Sequence, residues 1–257
     1  MRLQKNSKRR GDRGIVAGSD PNGLMVEIDN LTKAFGHFKA LKGVDLRIKK
    51  GDFLTIFGPN GAGKTTLIKI LSTLIKGTTG EVRIGGKNID GDGERVRAMV
   101  GLVSHQPYLY ENLSALENIV FFGRMYGVRN LRERAAALIA EVGLERRMND
   151  IVRNFSRGMQ QRLSIARALV HEPELLFLDE PFTGLDQHAA KILQGYMSRF
   201  HKEGRTSIMT THNLSEGLEM SNRVIILANG AVAYEESVAN LDLEKFKKVY
   251  FKYVGDE

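Results

Sequence analysis

The sequence predicts an α/β fold in which a mostly parallel sheet is joined by an antiparallel β layer and a helical subdomain. Three observations carry this. Short apolar runs, sized for strands buried on both faces, occur at Phe53 to Phe57, Leu175 to Leu178 and Ser207 to Met209. The first leads directly into a glycine-rich turn and then a helical period, the order that a βα unit needs. Ahead of it, Val26-Glu27-Ile28-Asp29 and Val44-Asp45-Leu46-Arg47-Ile48 alternate apolar and polar residues, as half-buried antiparallel strands do, with a loop expected between them.

Composition narrows the class. The 257 residues are 42% hydrophobic and 26% charged, which excludes a disordered, collagenous or low-complexity chain. Cysteine is absent, which excludes a disulfide framework and a thiolate metal site and fits a reducing compartment such as the cytoplasm. No apolar run approaches the ~20 residues that cross a bilayer, so no span, secretory signal or anchor is expected. The net charge is +8, and half of it belongs to residues 1–23, where six Lys and Arg face two acids. That stretch lacks periodicity and ends at Asp20-Pro21-Asn22-Gly23, so it reads as a disordered, solubilising basic tail, with order beginning near Leu24.

Phe57 is followed by Gly58-Pro59-Asn60-Gly61-Ala62-Gly63-Lys64-Thr65-Thr66. Leu67, Ile68, Ile70, Leu71, Leu74 and Ile75 then recur at helical spacing until Lys76-Gly77. Strand, glycine-rich turn and helix form the context of a phosphate-binding P-loop, because glycines let successive N–H groups turn inward and the helix N-terminus adds partial positive charge. Lys64 reaches the β- and γ-phosphates, Thr65 offers a hydroxyl to Mg²⁺, and Thr66 adds a contact on the α-phosphate side. The fold class is that of a P-loop NTPase.

Two more strands end in polar residues at the same sheet edge. Leu175-Leu176-Phe177-Leu178 runs into Asp179-Glu180-Pro181, with Asp179 suited to Mg²⁺ and Glu180 to polarising an attacking water. Thr210-Thr211-His212 ends the next, where His212 can donate to a γ-phosphate. The other histidines, His171 among them, read as surface or helix-end residues.

The order of motifs resembles the ATP-binding subunits of ABC transporters across roughly residues 24–236. Val103-Ser104-His105-Gln106 looks like that family's Q-loop, Phe155-Ser156-Arg157-Gly158-Met159-Gln160-Gln161-Arg162 like its signature, Gly184-Leu185-Asp186 like its D-loop and His212 like its switch histidine. Phe35, ahead of Ala40-Leu41, resembles the aromatic that stacks on adenine. The resemblance implies ATP and Mg²⁺ as ligands, with Gln106 sharing the metal and the reacting phosphate with Thr65, Asp179 and Glu180. It also implies that Ser156, Gly158 and Asp186 serve a nucleotide held by a second subunit. Ser156 is in any case a good N-cap for a helix lined by Met159, Leu163, Ala166, Leu169 and Val170. Phe155, Arg157 and Met159 depart from the family's usual signature, and Arg157 is expected to bring a cation near that second nucleotide.

Helical segments around Leu116 to Phe122 and Leu131 to Val142 fill the expected helical subdomain, about residues 105–170. By the resemblance it meets a membrane permease, with Pro107-Tyr108-Leu109-Tyr110-Glu111 as candidate coupling residues. Arg223 to Ala228, Asn229-Gly230 and Ala231 to Tyr234 read as a hairpin, and residues 237–257 as a short, charged, helical extension. The implied function is ATP hydrolysis powering transport through an ATP-bound head-to-tail dimer, either a homodimer or a pair with a second ATPase subunit. The implied location is the cytoplasmic face of the cell membrane. The signature run looks most like haem-exporter subunits of cytochrome c maturation systems. The alternative, an ABC ATPase acting on nucleic acid or the ribosome, would carry two cassettes or a long coiled coil; the chain shows neither a repeat nor sustained heptads, and no specific nucleic acid is expected.

Overall fold

The computed structural model describes residues 23–185 and 187–255, so the basic tail expected over the first 22 residues lies outside it. Strands β1 (Leu24–Phe35) and β2 (Phe38–Lys49) form one long antiparallel hairpin rather than two short strands around a loop. Register shifts between Ile28 and Thr32, where Asn30 takes a φ of 46°, break the alternation that would have marked the hairpin's full length. β4 (Thr79–Ile84) and β5 (Lys87–Asn88) extend this layer in the order β2-β1-β4-β5.

The second sheet has six strands in the order β10-β9-β3-β8-β7-β6. They are β3 (Phe53–Phe57), β6 (Val100–Ser104), β7 (Leu175–Asp179), β8 (Thr206–Thr210), β9 (Arg223–Ala228) and β10 (Ala231–Ser237). All pair in parallel except β10, which returns from β9 through Asn229 and Gly230, both at positive φ as a tight hairpin requires. β3, β7 and β8 are buried at every residue, which is why they lack the alternation of a half-exposed strand.

Helix α1 (Lys64–Leu71) lies between the sheets, with Leu67, Ile68, Ile70 and Leu71 buried against Val26, Ile28, Leu46 and Ile84. It ends five residues before the expected stop at Lys76-Gly77. Thr73 adopts a left-handed φ of 61°, and bonds from Leu74 N to Lys69 O and from Thr73 N to Ile70 O, each 2.9 Å, close the helix and leave Leu74 exposed. The short α2 (Gly93–Met99) precedes β6.

On the other face of the six-stranded sheet, α3 (Ala115–Met125), α4 (Leu131–Glu141) and α5 (Arg157–Leu169) share a cluster with Val103, Leu176, Leu178 and Met209. Ser114 and Glu117 form a capping box at the start of α3, which fixes where that helix begins. α6 (Gln187–Lys202) and α7 (Leu214–Met220) complete the crossovers. The C-terminal α8 (Leu243–Val254) is docked as well as helical: Phe246 is fully buried, its ring 4.8 Å from that of Phe57 at the end of β3.

Candidate active site

The turn after β3 is made by backbone geometry that side chains would block. Gly58 has a φ of 150°, and a Cβ there would stand 2.1 Å from Leu227 O; at Gly63, φ 106°, it would stand 2.7 Å from Ala40 O. The loop therefore threads between β9 and β2 at a distance only glycine tolerates. It delivers the N-terminus of α1, which has no side-chain cap and no acid in its first turn, so its N–H groups remain available to an anion. Lys64 is buried and its ammonium donates to Gly58 O at 2.6 Å and Pro59 O at 3.0 Å. Burial pulls its pKa down, opposed by the nearby carboxylates of Glu180 and Asp179.

Those carboxylates arrive on the neighbouring strands. Pairing sets Asp179 opposite Thr210, Thr210 opposite Ile56, and Ser104 opposite Asp179, so four strands end on one line beside the turn. Buried Asp179 Oδ1 accepts from Thr210 Oγ1 at 2.7 Å and from Thr65 Oγ1 at 3.1 Å. The backbone N–H of Glu180 donates to Thr210 Oγ1 at 3.1 Å, and its φ of 50° turns the side chain off the strand. His212 Nδ1 lies 2.9 Å from Glu180 Oε2, while the imidazole is largely exposed. Burial raises the pKa of Glu216 on α7, with the carboxylate of Glu180 adding to it and His212 opposing it.

Phe38, Ala40, Asn60, Gly61, Ala62, Gly63, Lys64, Thr65, Thr66 and Glu180 line a cleft of about 260 Å³. Gly58 and Pro59 stand behind it with their carbonyls engaged by Lys64. Phe35, expected against a base, is 51% exposed beneath the Lys33 ammonium and pairs with Phe38, 63% exposed, which is among the residues that line the cleft. The sequence did hold a signal for it, since Phe38 and Ala40 are two apart on β2 and share a face. A larger cleft, about 590 Å³ between α4 and α6, is lined by arginines and glutamates that pair with one another, as Arg134 does with Glu172 and Arg199 with Glu141.

Three expected contributors stand apart from the cleft. Gln106 is exposed two residues beyond β6, held through its carbonyl by Ser104 Oγ at 2.7 Å. Ser156 is exposed, its Oγ accepting from Met159 N at 3.2 Å, and a Cβ at Gly158 would meet nothing within 4 Å. The Arg157 side chain turns instead toward Gly184 of its own chain, where an added Cβ would lie 3.5 Å from its Nε. Asp186 lies outside the described residues.

The hydroxyl of Thr65 beside the carboxylate of Asp179 is a hard oxygen pair that fits Mg²⁺. Among the described residues there is no cluster of three or more His, Cys, Asp or Glu that could hold a metal ion. A cationic, N–H-lined cleft with a carboxylate on its rim is equipped to bind a polyphosphate and to direct water at its terminal phosphorus.

A family model described as "ABC transporter" matches residues 41–183. The chain is similar to the linearmycin resistance ATP-binding protein LnrL of Bacillus subtilis, 35% identical over 208 residues that cover 80% of this chain and 67% of that protein. Similarity to the daunorubicin resistance ATP-binding protein DrrA3 of Streptomyces coeruleorubidus is 36% over 221 residues, covering 85% and 70%. Among solved structures, the dimeric post-hydrolysis state of the ATP-binding cassette MJ0796 bound to ADP and Pi aligns with a TM-score of 0.76 at 34% identity, covering 83% of this chain and 99% of that one.

Proposed function

The chain belongs to the ABC transporter family of ATP-binding proteins, and from that premise we propose that it works as one half of an ATP-bound, head-to-tail pair beneath a membrane permease. It is an ATP-binding and ATP-hydrolysing subunit that powers a transporter. One observation carries the pairing: Lys64, Thr65 and Glu180 line the cleft, with buried Asp179 bonded to Thr65 behind it, while Ser156 and Gly158 present an exposed helix N-terminus outside it. A second copy, turned head to tail, brings that N-terminus to the γ-phosphate. The dimeric MJ0796 cassette supports the same arrangement.

In this reading Lys64 and the N–H groups of the turn hold the β- and γ-phosphates, and Thr65 and Asp179 hold Mg²⁺, which when bound neutralises phosphate charge. Glu180 orients the attacking water and takes its proton, and His212 leaves Glu180 Oε2 to donate to the γ-phosphate. Gln106 reaches the site from the end of β6 as the pair closes, and Asp186 meets the partner subunit. Phe38 and Phe35, facing across the hairpin end, offer the surface for the base. No helix among the described residues is long and apolar enough to cross a membrane; the permease supplies the span, and the subunit sits on the membrane's cytoplasmic face. Phosphate release by the purified chain tests the hydrolytic role: it should require Mg²⁺ and ATP and disappear in Lys64→Ala.

The cargo belongs to the permease. The run Phe155 to Arg162 supports a haem or related exporter. Haem should then stimulate hydrolysis by the subunit reconstituted with its permease in liposomes; an unchanged rate removes haem from this reading.

A further inference from the structure

A cleft of about 350 Å³, which shares no described lining residue with the nucleotide cleft, opens where α6, α7 and the start of β3 meet. Gln194, Met197, Ser198 and His201 recur at helical spacing and turn one face of α6 to it, while Phe53 opens β3 and Glu219 and Met220 end α7. Phe53 and Met197 are buried and Met220 is half-buried, so the floor is an aromatic ring with two polarisable thioethers. Glu219 is the single acid of this lining, which contains no Lys or Arg, and its exposed carboxylate has no ion pair among the described residues.

His201, its ring centroid 6.2 Å from that of Phe53, is half-buried, and its Nδ1 is shielded from solvent without a hydrogen-bond partner. His171 is also half-buried with an unpartnered Nδ1, not the surface residue that its position in the sequence suggested, but Tyr126 stacks on its ring at 4.0 Å and its Nε2 bonds Val100 O at 3.0 Å. A buried ring nitrogen left unpaired carries a desolvation cost that the N–H of a ligand removes. An apolar floor with a few polar groups, in a volume within the roughly 300–1,000 Å³ of small-molecule sites, is the make-up of a ligand pocket. A flat ring suits Phe53 and the thioethers, a ring N–H answers His201 Nδ1, and an ammonium answers Glu219.

We propose that this cleft is a regulatory site for a small aromatic amine, a cation with an N–H on its ring system and an ammonium on a short arm. Each wall of the cleft continues into the hydrolytic machinery: β3 runs into Gly58 and the turn to Lys64, α6 follows the segment around Gly184, and α7 follows His212. Glu219 repels Glu216 one turn back on α7, and Glu216 in turn feels the charges of Glu180 and His212. A cation held at Glu219 therefore acts on the catalytic residues by charge as well as by packing. The site belongs to the single chain and needs no permease.

Tryptamine is the probe, because its indole carries the ring N–H, its arm carries the ammonium, and the chain has no tryptophan to obscure indole fluorescence. Its anisotropy, followed as the full chain is added, should saturate with a Kd of about 0.1 mM, and saturating ATP should not displace it. Glu219→Gln should weaken binding about tenfold, and indole-3-acetate, which has a carboxylate in place of the ammonium, should bind the wild type more weakly by about the same factor. Ser198→Arg places a cation at an exposed rim position, where folding is not at stake. It should block the cleft and leave phosphate release without tryptamine at the wild-type rate. Saturating tryptamine should change phosphate release about twofold or more in the wild type and leave it unchanged in Ser198→Arg. Displacement by ATP would put the probe in the nucleotide cleft, and equal binding by wild type, Glu219→Gln and Ser198→Arg would put it elsewhere; either result overturns the proposal. So does a failure to saturate, or saturable binding that leaves phosphate release by the wild type unchanged.

Discussion

Glu180 combines three properties that seldom meet in one side chain: a left-handed φ of 50°, a backbone N–H tied to Thr210, and a carboxylate oxygen 2.9 Å from an exposed imidazole. A non-glycine residue held in that region costs about 1–3 kcal/mol, and such strain gathers where function needs a particular orientation. Glu180→Gln keeps the shape but removes the base, so hydrolysis should fall ~10²–10⁴-fold while ATP binding, read by a fluorescent analogue, survives. A hydrolysis rate within threefold of wild type would remove Glu180 from the reaction. At His171, burial holds the pKa below the usual value near 6.5, assisted by the charges of Arg167 and Arg134 and opposed by the bond to Val100 O. The unfolded chain therefore binds this proton first as pH falls, and the stability present above pH ~6.5 drains away as acidification passes down to the folded value. Urea midpoints at pH 7.5 and 5.5 should differ less in His171→Gln than in wild type; equal differences would mean the residue titrates alike in both states.

At the scale of elements, what was legible in the sequence was whatever a contiguous segment decides. The turn from Gly58 to Thr66 and the acidic end of β7 each hold their chemistry within a few residues, and the structure sets them on one strand edge. Gly58→Ala should abolish nucleotide binding or folding, since its Cβ would meet Leu227 O, a backbone atom that cannot swing aside. Backbone irregularities that no residue type announces, and contacts made across long separations, were not legible. Which aromatic lines the cleft, Phe35 or Phe38, depends on register shifts in the β1–β2 hairpin, and the early stop of α1 depends on the left-handed Thr73. The docking of α8 was equally hidden, because Phe246 finds Phe57 across almost the whole chain. Phe246→Ala should cost about 3–5 kcal/mol in urea unfolding, as loss of a fully buried phenylalanine does, whereas an α8 that merely hangs from the domain would lose almost nothing.

For the whole molecule, the proposed function divides the labour between copies. Among the described residues, Ser156 and Gly158 open a helix N-terminus that is not part of the cleft's lining, while Lys64 and Glu180 line it. In the proposed pair, bound ATP is the contact between two subunits, and its hydrolysis releases them. The most direct test is the mass of Glu180→Gln in solution by light scattering, with and without ATP and Mg²⁺, and with the permease bound where the free subunits pair weakly. The account predicts that ATP doubles the number of subunits per particle, and that Lys64→Ala or replacement of Ser156 by a bulky residue prevents it. A Glu180→Gln subunit that binds ATP at saturation, with the permease present, and still does not pair would contradict the account.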